Sequence, residues 1–414
     1  MIKNKTERIT RRMNFEIRNG TLCIVDHGKL IVSDITGYLK HSGNHYNVLT
    51  VPAEGSWTVK GNIASCDNLT IESSPLDDGI LIRSTFRNMG EAITVPCNFT
   101  AFSGILQRTP DRMIVNRPYS ANGLHVCEMQ SPVDTIHTVY NSVYESAENT
   151  VFDTEEGDAF IFGAATYQKY FSCVTVSREG CLTAYCNTEL HTLKMGDTVT
   201  SDWFLLAPCD DCVSGLDKFA RTVASLAGVK PTNRENPFGY CSWYYYGRNI
   251  SADTMRQNMK SLCEKKDLLP VQYIQIDEGW NDGWGTWQAN EKFGDIKALA
   301  DEIKENGFIP GIWIAPFGCH PDKQLAKDHP DWFVKNANGD PWCTNALCLD
   351  FTNPEVRDYI GGIFRRLSHD WGFRYIKLDI GMRVSGDIFE RWESLRYHAQ
   401  SCRRHSFRPE CNRS

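Results

Sequence analysis

The hydrophobic rhythm of this chain changes once, near residue 230, and that change limits the architectures open to it. From about Met13 to Ala207, apolar residues come in short runs broken by Gly, Asn and Asp: GTLCIVD, KLIVSDI, NLTIESS, GILIRSTF, DAFIFGAAT, SCVTVS, CLTAYC and TVTSDWFLLA. Repeated short strands with no helical spacing between them predict a large antiparallel β-sandwich over 13–212. Val213 to Leu226 has apolar positions at helical spacing, and the GVKPTNRENP that follows is rich in Pro, Gly and Asn. Residues 213–237 therefore read as a linker helix and loop. Beyond them the pattern becomes strand, loop and helix, repeated through 238–400.

The expected strands are FGYCSWYYY (238–246), VQYIQIDEGW (271–280), FIPGIWIAPF (308–317) and FRYIKLDI (373–380). Helices are expected from Ser251, a capping residue with an acidic first turn behind it, around 296–306, over 323–328, and from Pro354, which suits a first helical turn. Parallel strands separated by helices, with charged and aromatic residues at each strand's C-terminal end, describe the first half, about four βα units, of a TIM (β/α)8 barrel. A doubly wound sheet is the alternative, but no Gly-rich phosphate turn follows any strand, so a nucleotide cofactor has no support.

Barrel chemistry gathers at the C-terminal ends of the strands, and four clusters fall there. Lys377 and Asp379 are two apart in FRYIKLDI and so share a face, with Tyr375 beneath them. Two opposite charges on the inner face of a strand are costly unless paired, which points to chemistry. Asp277 ends the second strand, with Gln275 on the same face and Glu278, Gly279 and Trp280 behind it. Glu278 points the other way unless the loop twists. Trp313, near Pro316, lies in an apolar run and by itself reads as core. Trp243 to Tyr246 fit core packing and a site equally well, and Arg383 fits a substrate contact or a helix cap. Aromatics beside carboxylates and an amine suit a sugar, whose C–H faces stack on rings while its hydroxyls take ionic hydrogen bonds.

Composition narrows the partners. The net charge of -7, with no basic patch, argues against nucleic acid or an anionic membrane surface and favours a neutral substrate. The first twenty residues lack the apolar core of a secretory signal, which gives a cytoplasmic expectation. Met13 opens the first well-patterned segment, so residues 1–12 read as a disordered extension or a mis-called start. Sixteen cysteines are scattered along the chain and read as reduced thiols. Cys209 and Cys212 form one CxxC with no second ligand pair, so no metal is expected; Cys343 and Cys348 suggest nothing further. His125, His137 and His191 are isolated and read as surface or core residues.

YCSWYYY, YIQIDEGW, NEKFGDIKALADEIKENGFIPGIWIAPF, HPDWF, LCLDFTNPEV and YIKLD together resemble the retaining alpha-galactosidases of glycoside hydrolase family 36. They are also similar to the wider clan that holds lysosomal-type alpha-galactosidases and raffinose synthases. The resemblance covers about 235–385. It implies Asp379 as nucleophile, Lys377 as a galactose-binding lysine, Asp277 and Glu278 as the acidic pair holding O4 and O6, and Trp313 as the stacking ring. Trp243 and Trp280 join these as substrate-binding candidates. The implied reaction is double displacement on an alpha-galactoside oligosaccharide, without cofactor or metal. Family members often assemble as tetramers. Transglycosylation, an alpha-N-acetylgalactosaminide or raffinose synthase-like activity, and non-catalytic carbohydrate binding are the alternatives.

Three departures from the family pattern stand out. The second acid is Glu278, where Asp is commoner, and one more methylene moves the carboxylate by about 1.5 Å. Thr344 and Asn345 stand where some relatives carry an arginine. The acid/base is expected at the end of a sixth strand, which the sequence does not reach. Asp387, Glu390 and Glu393 read as solvated helix residues, and the tail over 401–414 loses the preceding periodicity. The expectation is a chain truncated within its barrel and inactive alone.

Overall fold

A computed structural model describes residues 13–42, 48–93, 97–108, 110–116, 124–128, 143–146, 149–154, 158–166, 170–177, 179–188, 192–229, 236–335, 339–341 and 346–379. The chain divides into two compact units, Met1–Thr232 and Asn233–Ser414. Among the described residues, no helix is long and apolar enough to cross a membrane.

In the first unit two antiparallel sheets face each other. One runs in the order Met13–Arg18, Thr21–Asp26, Lys29–Ser42, Cys97–Leu106, Cys181–Asn187, Phe171–Ser177 and Val143–Ser146, with Val48–Pro52 added to Lys29–Ser42. The other runs Leu124–Glu128, Pro110–Asn116, Asn149–Thr154, Ala159–Ala164, Phe204–Cys209, Gly79–Arg87, Leu69–Leu76, Ile63–Ser65 and Thr58–Lys60, with Thr198–Thr200 on Gly79–Arg87. Alternation decides which side chains enter the core: in Leu69–Leu76, Leu69 and Ile71 are buried while Thr70 and Glu72 are half-buried. Phenylalanines from both sheets meet between them, Phe86 with Phe99 at 6.3 Å and Phe102 with Phe162 at 6.0 Å between ring centroids. This is the expected β-sandwich.

Ala159–Ala164 is buried on both faces, and the reason lies outside the sandwich core. Phe160 and Phe162 point between the sheets, whereas Ile161 joins Val151, Leu205 and Ala207 in a second cluster covered by Phe219. Phe219 sits on the helix Cys212–Leu226, which the sequence suggested was a linker. The helix instead covers one sheet of the first unit. Asp211 caps it, accepting from the Ser214 N–H at 2.8 Å while Ser214 Oγ accepts from the Asp211 N–H at 3.0 Å. Gly215 makes the close approach possible, since a Cβ there would stand 2.9 Å from Cys209 Sγ and 3.0 Å from Val151 Cγ1. Burial lifts the Cys209 thiol to about 12, so it stays protonated at neutral pH.

The second unit contains a four-stranded parallel sheet in sequential order: Gly239–Cys241, Tyr273–Ile276, Ile309–Ile314 and Tyr375–Leu378. The helices Ala252–Glu264, Ile296–Glu305 and Pro354–Arg365 alternate with these strands. Ser251, Asp295 and Asn353 cap them, each accepting a backbone N–H of the first turn. Their apolar faces (Met255, Met259, Leu299, Ile303, Val356, Ile360) pack in one core with Ile274, Ile276, Ile312 and Ile314.

Each strand is shorter than its apolar run. The first differs most: it ends at Cys241, and Trp243–Tyr246 forms a helical turn followed by a 3-10 turn over Gly247–Asn249. Ser242, fully buried, turns the chain. Its N–H reaches Gln275 O at 3.4 Å and its Oγ accepts from the Asp277 N–H at 3.0 Å. A strand pairing Gly318–Cys319 antiparallel with Leu347–Cys348 was not expected.

Candidate active site

Strand register builds the site. Gln275 pairs with Gly311 and Gly311 with Tyr375, so these residues form a row across three strands. Two residues further on, the same face carries Asp277, Trp313 and Lys377, with Trp313 directly paired to Lys377. Asp379 continues the fourth strand, its N–H donating to Ile314 O at 3.0 Å. Gly311 has no side chain, and Tyr375 of the first row meets Tyr273 edge-on at 5.4 Å.

Asp277 is 1% exposed. Its Oδ2 accepts from Lys377 Nζ at 2.8 Å, Gln275 Nε2 at 2.8 Å and Cys241 Sγ at 3.4 Å, and its Oδ1 accepts from the Glu278 N–H at 2.9 Å. Burial pushes the carboxyl pKa up, but Lys377, Gln275 and the Glu278 N–H outweigh it and leave the group below the ordinary carboxylate value. Burial likewise pulls Lys377 down, and the bond to Asp277 more than restores it, so the ammonium ends above its usual range. Lys377 Nζ also lies 3.7 Å from Asp379 Oδ2.

Asp379 sits at the open end of this cluster, its side chain 44% exposed. Trp313 Nε1 donates to Asp379 Oδ2 at 2.9 Å. Trp313 itself is 1% exposed, wedged between Trp284 and Trp287 at 6.1 and 5.9 Å. Trp313, expected as the stacking ring, is thus a buried ring whose N–H orients the Asp379 carboxylate. Trp280 is fully buried, donates to the Trp313 carbonyl at 2.9 Å and packs on Trp287 and Trp371, so it supports the third strand. Trp243 lies exposed on its helical turn, beside Tyr244 and Tyr245, which are also exposed.

Glu278 is turned into the site neighbourhood by the loop. Its Oε1 takes Arg248 Nη2 at 2.9 Å and Trp284 Nε1 at 3.1 Å. Trp284 stacks on His320 at 5.2 Å, and its N–H reaches His320 Nδ1 at 3.4 Å; burial pulls the pKa of that imidazole down. Arg248, Trp284, Cys241 and Ser242 were missed from sequence because turns and an ion pair, not periodicity, bring them together. The one available signal was GWGTW, whose closely spaced glycines and tryptophans mark a packed loop. Arg383, Asp387, Glu390, Glu393, Thr344 and Asn345 lie outside the described residues, as do His137, His191 and the segments 1–12 and 401–414. Among the described residues, no three His, Cys, Asp or Glu side chains are grouped to hold a metal.

Residues 224–405 match the Melibiase family model. The chain is 28% identical over 217 residues to the bifunctional alpha-galactosidase/sucrose kinase AgaSK of Mediterraneibacter gnavus, covering 49% of this chain and 23% of that protein. It is 33% identical over 193 residues to the A type blood alpha-D-galactosamine galactosaminidase of Flavonifractor plautii, covering 41% of this chain and 17% of that protein. The chain thus spans about a quarter or less of these relatives. Among solved structures, the GH36 alpha-galactosidase AgaA of Geobacillus stearothermophilus aligns with a TM-score of 0.54 at 15% identity, over 89% of this chain and 54% of that one. TtGalA of Thermus thermophilus, in complex with p-nitrophenyl alpha-D-galactopyranoside, aligns with a TM-score of 0.52 at 18% identity, over 80% and 69%. Residues 224–405 are thus similar to the Melibiase family, and the relatives and solved structures that resemble this chain include alpha-galactosidases of which it covers a part.

Proposed function

We propose that the four parallel strands are the first half of a (β/α)8 barrel. Their shared face is then the galactose-binding and nucleophile side of a retaining alpha-galactosidase site. The observation that carries the reading is the row Asp277, Trp313 and Lys377 with Asp379 at its open end. Asp277 is held ionised by Lys377 and Gln275, so it accepts a hydrogen bond from a sugar hydroxyl. Lys377, bonded to Asp277 and 3.7 Å from Asp379, ties binding group and reacting group into one frame. The indole of Trp313 fixes one Asp379 oxygen. The carboxylate then attacks the anomeric carbon, the bond to the leaving oxygen breaks with its electron pair, and a glycosyl ester forms that water cleaves. The leaving oxygen takes a proton from an acid/base group, a role to which no described residue is assigned.

The substrates in related structures are alpha-galactosides, including p-nitrophenyl alpha-D-galactopyranoside and, for a variant of AgaA, raffinose. A terminal alpha-galactosyl unit of an oligosaccharide is accordingly the proposed substrate. A second reading, an alpha-galactosaminide, is favoured by the Flavonifractor relative. Calorimetric titration with the methyl alpha-glycosides of galactose, galactosamine and glucose separates these readings. Galactoside binding at least about tenfold tighter than glucoside is expected, because an unmet buried polar group costs that much. Equal binding of galactoside and glucoside, or none, contradicts the proposal.

A further inference from the structure

Glu278 is the acid whose extra methylene departs from the resemblance, and the structure accounts for that length. The longer arm meets the Trp284 indole and the Arg248 guanidinium, both on Oε1. Among the described residues, Oε2 receives no hydrogen bond. The Glu278 side chain is 9% exposed and that of Arg248 is 67% exposed, so a carboxylate buried in the wall holds a cation at the surface. The backbone fixes this geometry. Gly279 has φ +121°, and a Cβ on it would stand 2.8 Å from Arg248 O and 3.0 Å from Arg248 Cα, so only glycine lets the 277–280 turn lie against Arg248. Lys292 Nζ clamps the same Arg248 carbonyl at 2.7 Å.

We propose that Arg248 is a specificity-determining residue of this site: bound to Glu278 Oε1, it offers its remaining N–H donors beside Oε2. The pair then receives one sugar hydroxyl as donor and acceptor together. This rests on the sugar-site reading above. The pair is neutral as a unit, as Lys377 and Asp277 are, so the corner takes a hydroxyl and rejects a charged substituent. An aspartate at 278 would fall short of the indole and the guanidinium and leave Arg248 unanchored.

The test is calorimetric binding of methyl alpha-galactoside and its 2-, 3-, 4- and 6-deoxy analogues to the full chain and to Arg248→Met, Arg248→Lys, Glu278→Gln and the Arg248→Met/Glu278→Gln double variant. Wild type is expected to lose about tenfold or more for one deoxy analogue contacting the pair. Arg248→Met should weaken the parent sugar by a similar factor yet bind that one analogue as wild type does. Glu278→Gln should single out the same position, the double variant should be no weaker than the worse single one, and Arg248→Lys should regain part of the loss. A uniform loss across all five sugars, or no change, overturns the assignment of Arg248 while the sugar-site reading stands. If wild type binds none of the five, the sugar-site reading fails and this one with it.

Discussion

Asp277 is the residue on which the electrostatics of this site turn. A carboxylate 1% exposed is tolerable only because three donors converge on one oxygen and a fourth meets the other. Its pKa is lowered in the folded state, so its stabilising contribution is fully present above the ordinary value of 3.8 and is lost as pH falls through the lower folded value. Lys377 is raised, so its contribution is fully present below 10.5 and is lost as pH rises through the higher folded value. The stability difference between wild type and Asp277→Asn should therefore be flat from about pH 5 to pH 9 and shrink on either side of that window, below it as Asp277 protonates and above it as Lys377 deprotonates, as followed by thermal unfolding. A midpoint near neutrality would contradict the pairing. At Trp313 the prediction separates binding from chemistry: Trp313→Phe keeps a ring but loses the N–H to Asp379. Sugar affinity should stay within about threefold, while covalent reaction at Asp379 slows about tenfold, roughly the worth of one charge-assisted hydrogen bond.

At the scale of elements, the sequence was most informative where a period repeats and least where a turn intervenes. The helix starts at Ser251 and Pro354 were legible because capping chemistry is local. The shared face of Lys377 and Asp379 followed from the two-residue repeat. The end of the first strand was not legible, because WYYY has strand composition and only the tertiary bonds of Ser242 to Gln275 and Asp277 bend it into a helical turn. Nor was the loop from Trp280 to Asn290, which carries Trp284 to Glu278 and buries Trp287. Two glycines test the register argument. Gly311→Ala places a Cβ 2.9 Å from Tyr375 Cδ1 and 3.2 Å from Gln275 Cβ, an overpacking expected to cost about 1–3 kcal/mol and to separate the rows. Gly279→Ala meets both the Arg248 backbone and a positive φ, so denaturant titration should rank it as the more destabilising of the two.

At the scale of the whole molecule, two units with separate cores carry different kinds of information. The sandwich was readable from alternation alone, yet the role of Cys212–Leu226 was not, because an amphipathic helix looks the same whether it spans a gap or covers a sheet. Its burial of Phe219 predicts that Phe219→Ala destabilises the first unit by about 3 kcal/mol and leaves sugar binding unchanged. The site belongs to the second unit, where the register of three strands delivers an acid, an indole and a lysine to one face and sets Asp379 at its edge. The most direct test of that account is covalent trapping with 5-fluoro-alpha-galactosyl fluoride, whose leaving group departs without an acid catalyst. Peptide mapping by mass spectrometry should place a single fluorogalactosyl adduct on Asp379, abolished in Asp379→Asn and suppressed by excess galactose; an adduct on another carboxylate, or none on a chain that binds galactose, would contradict it.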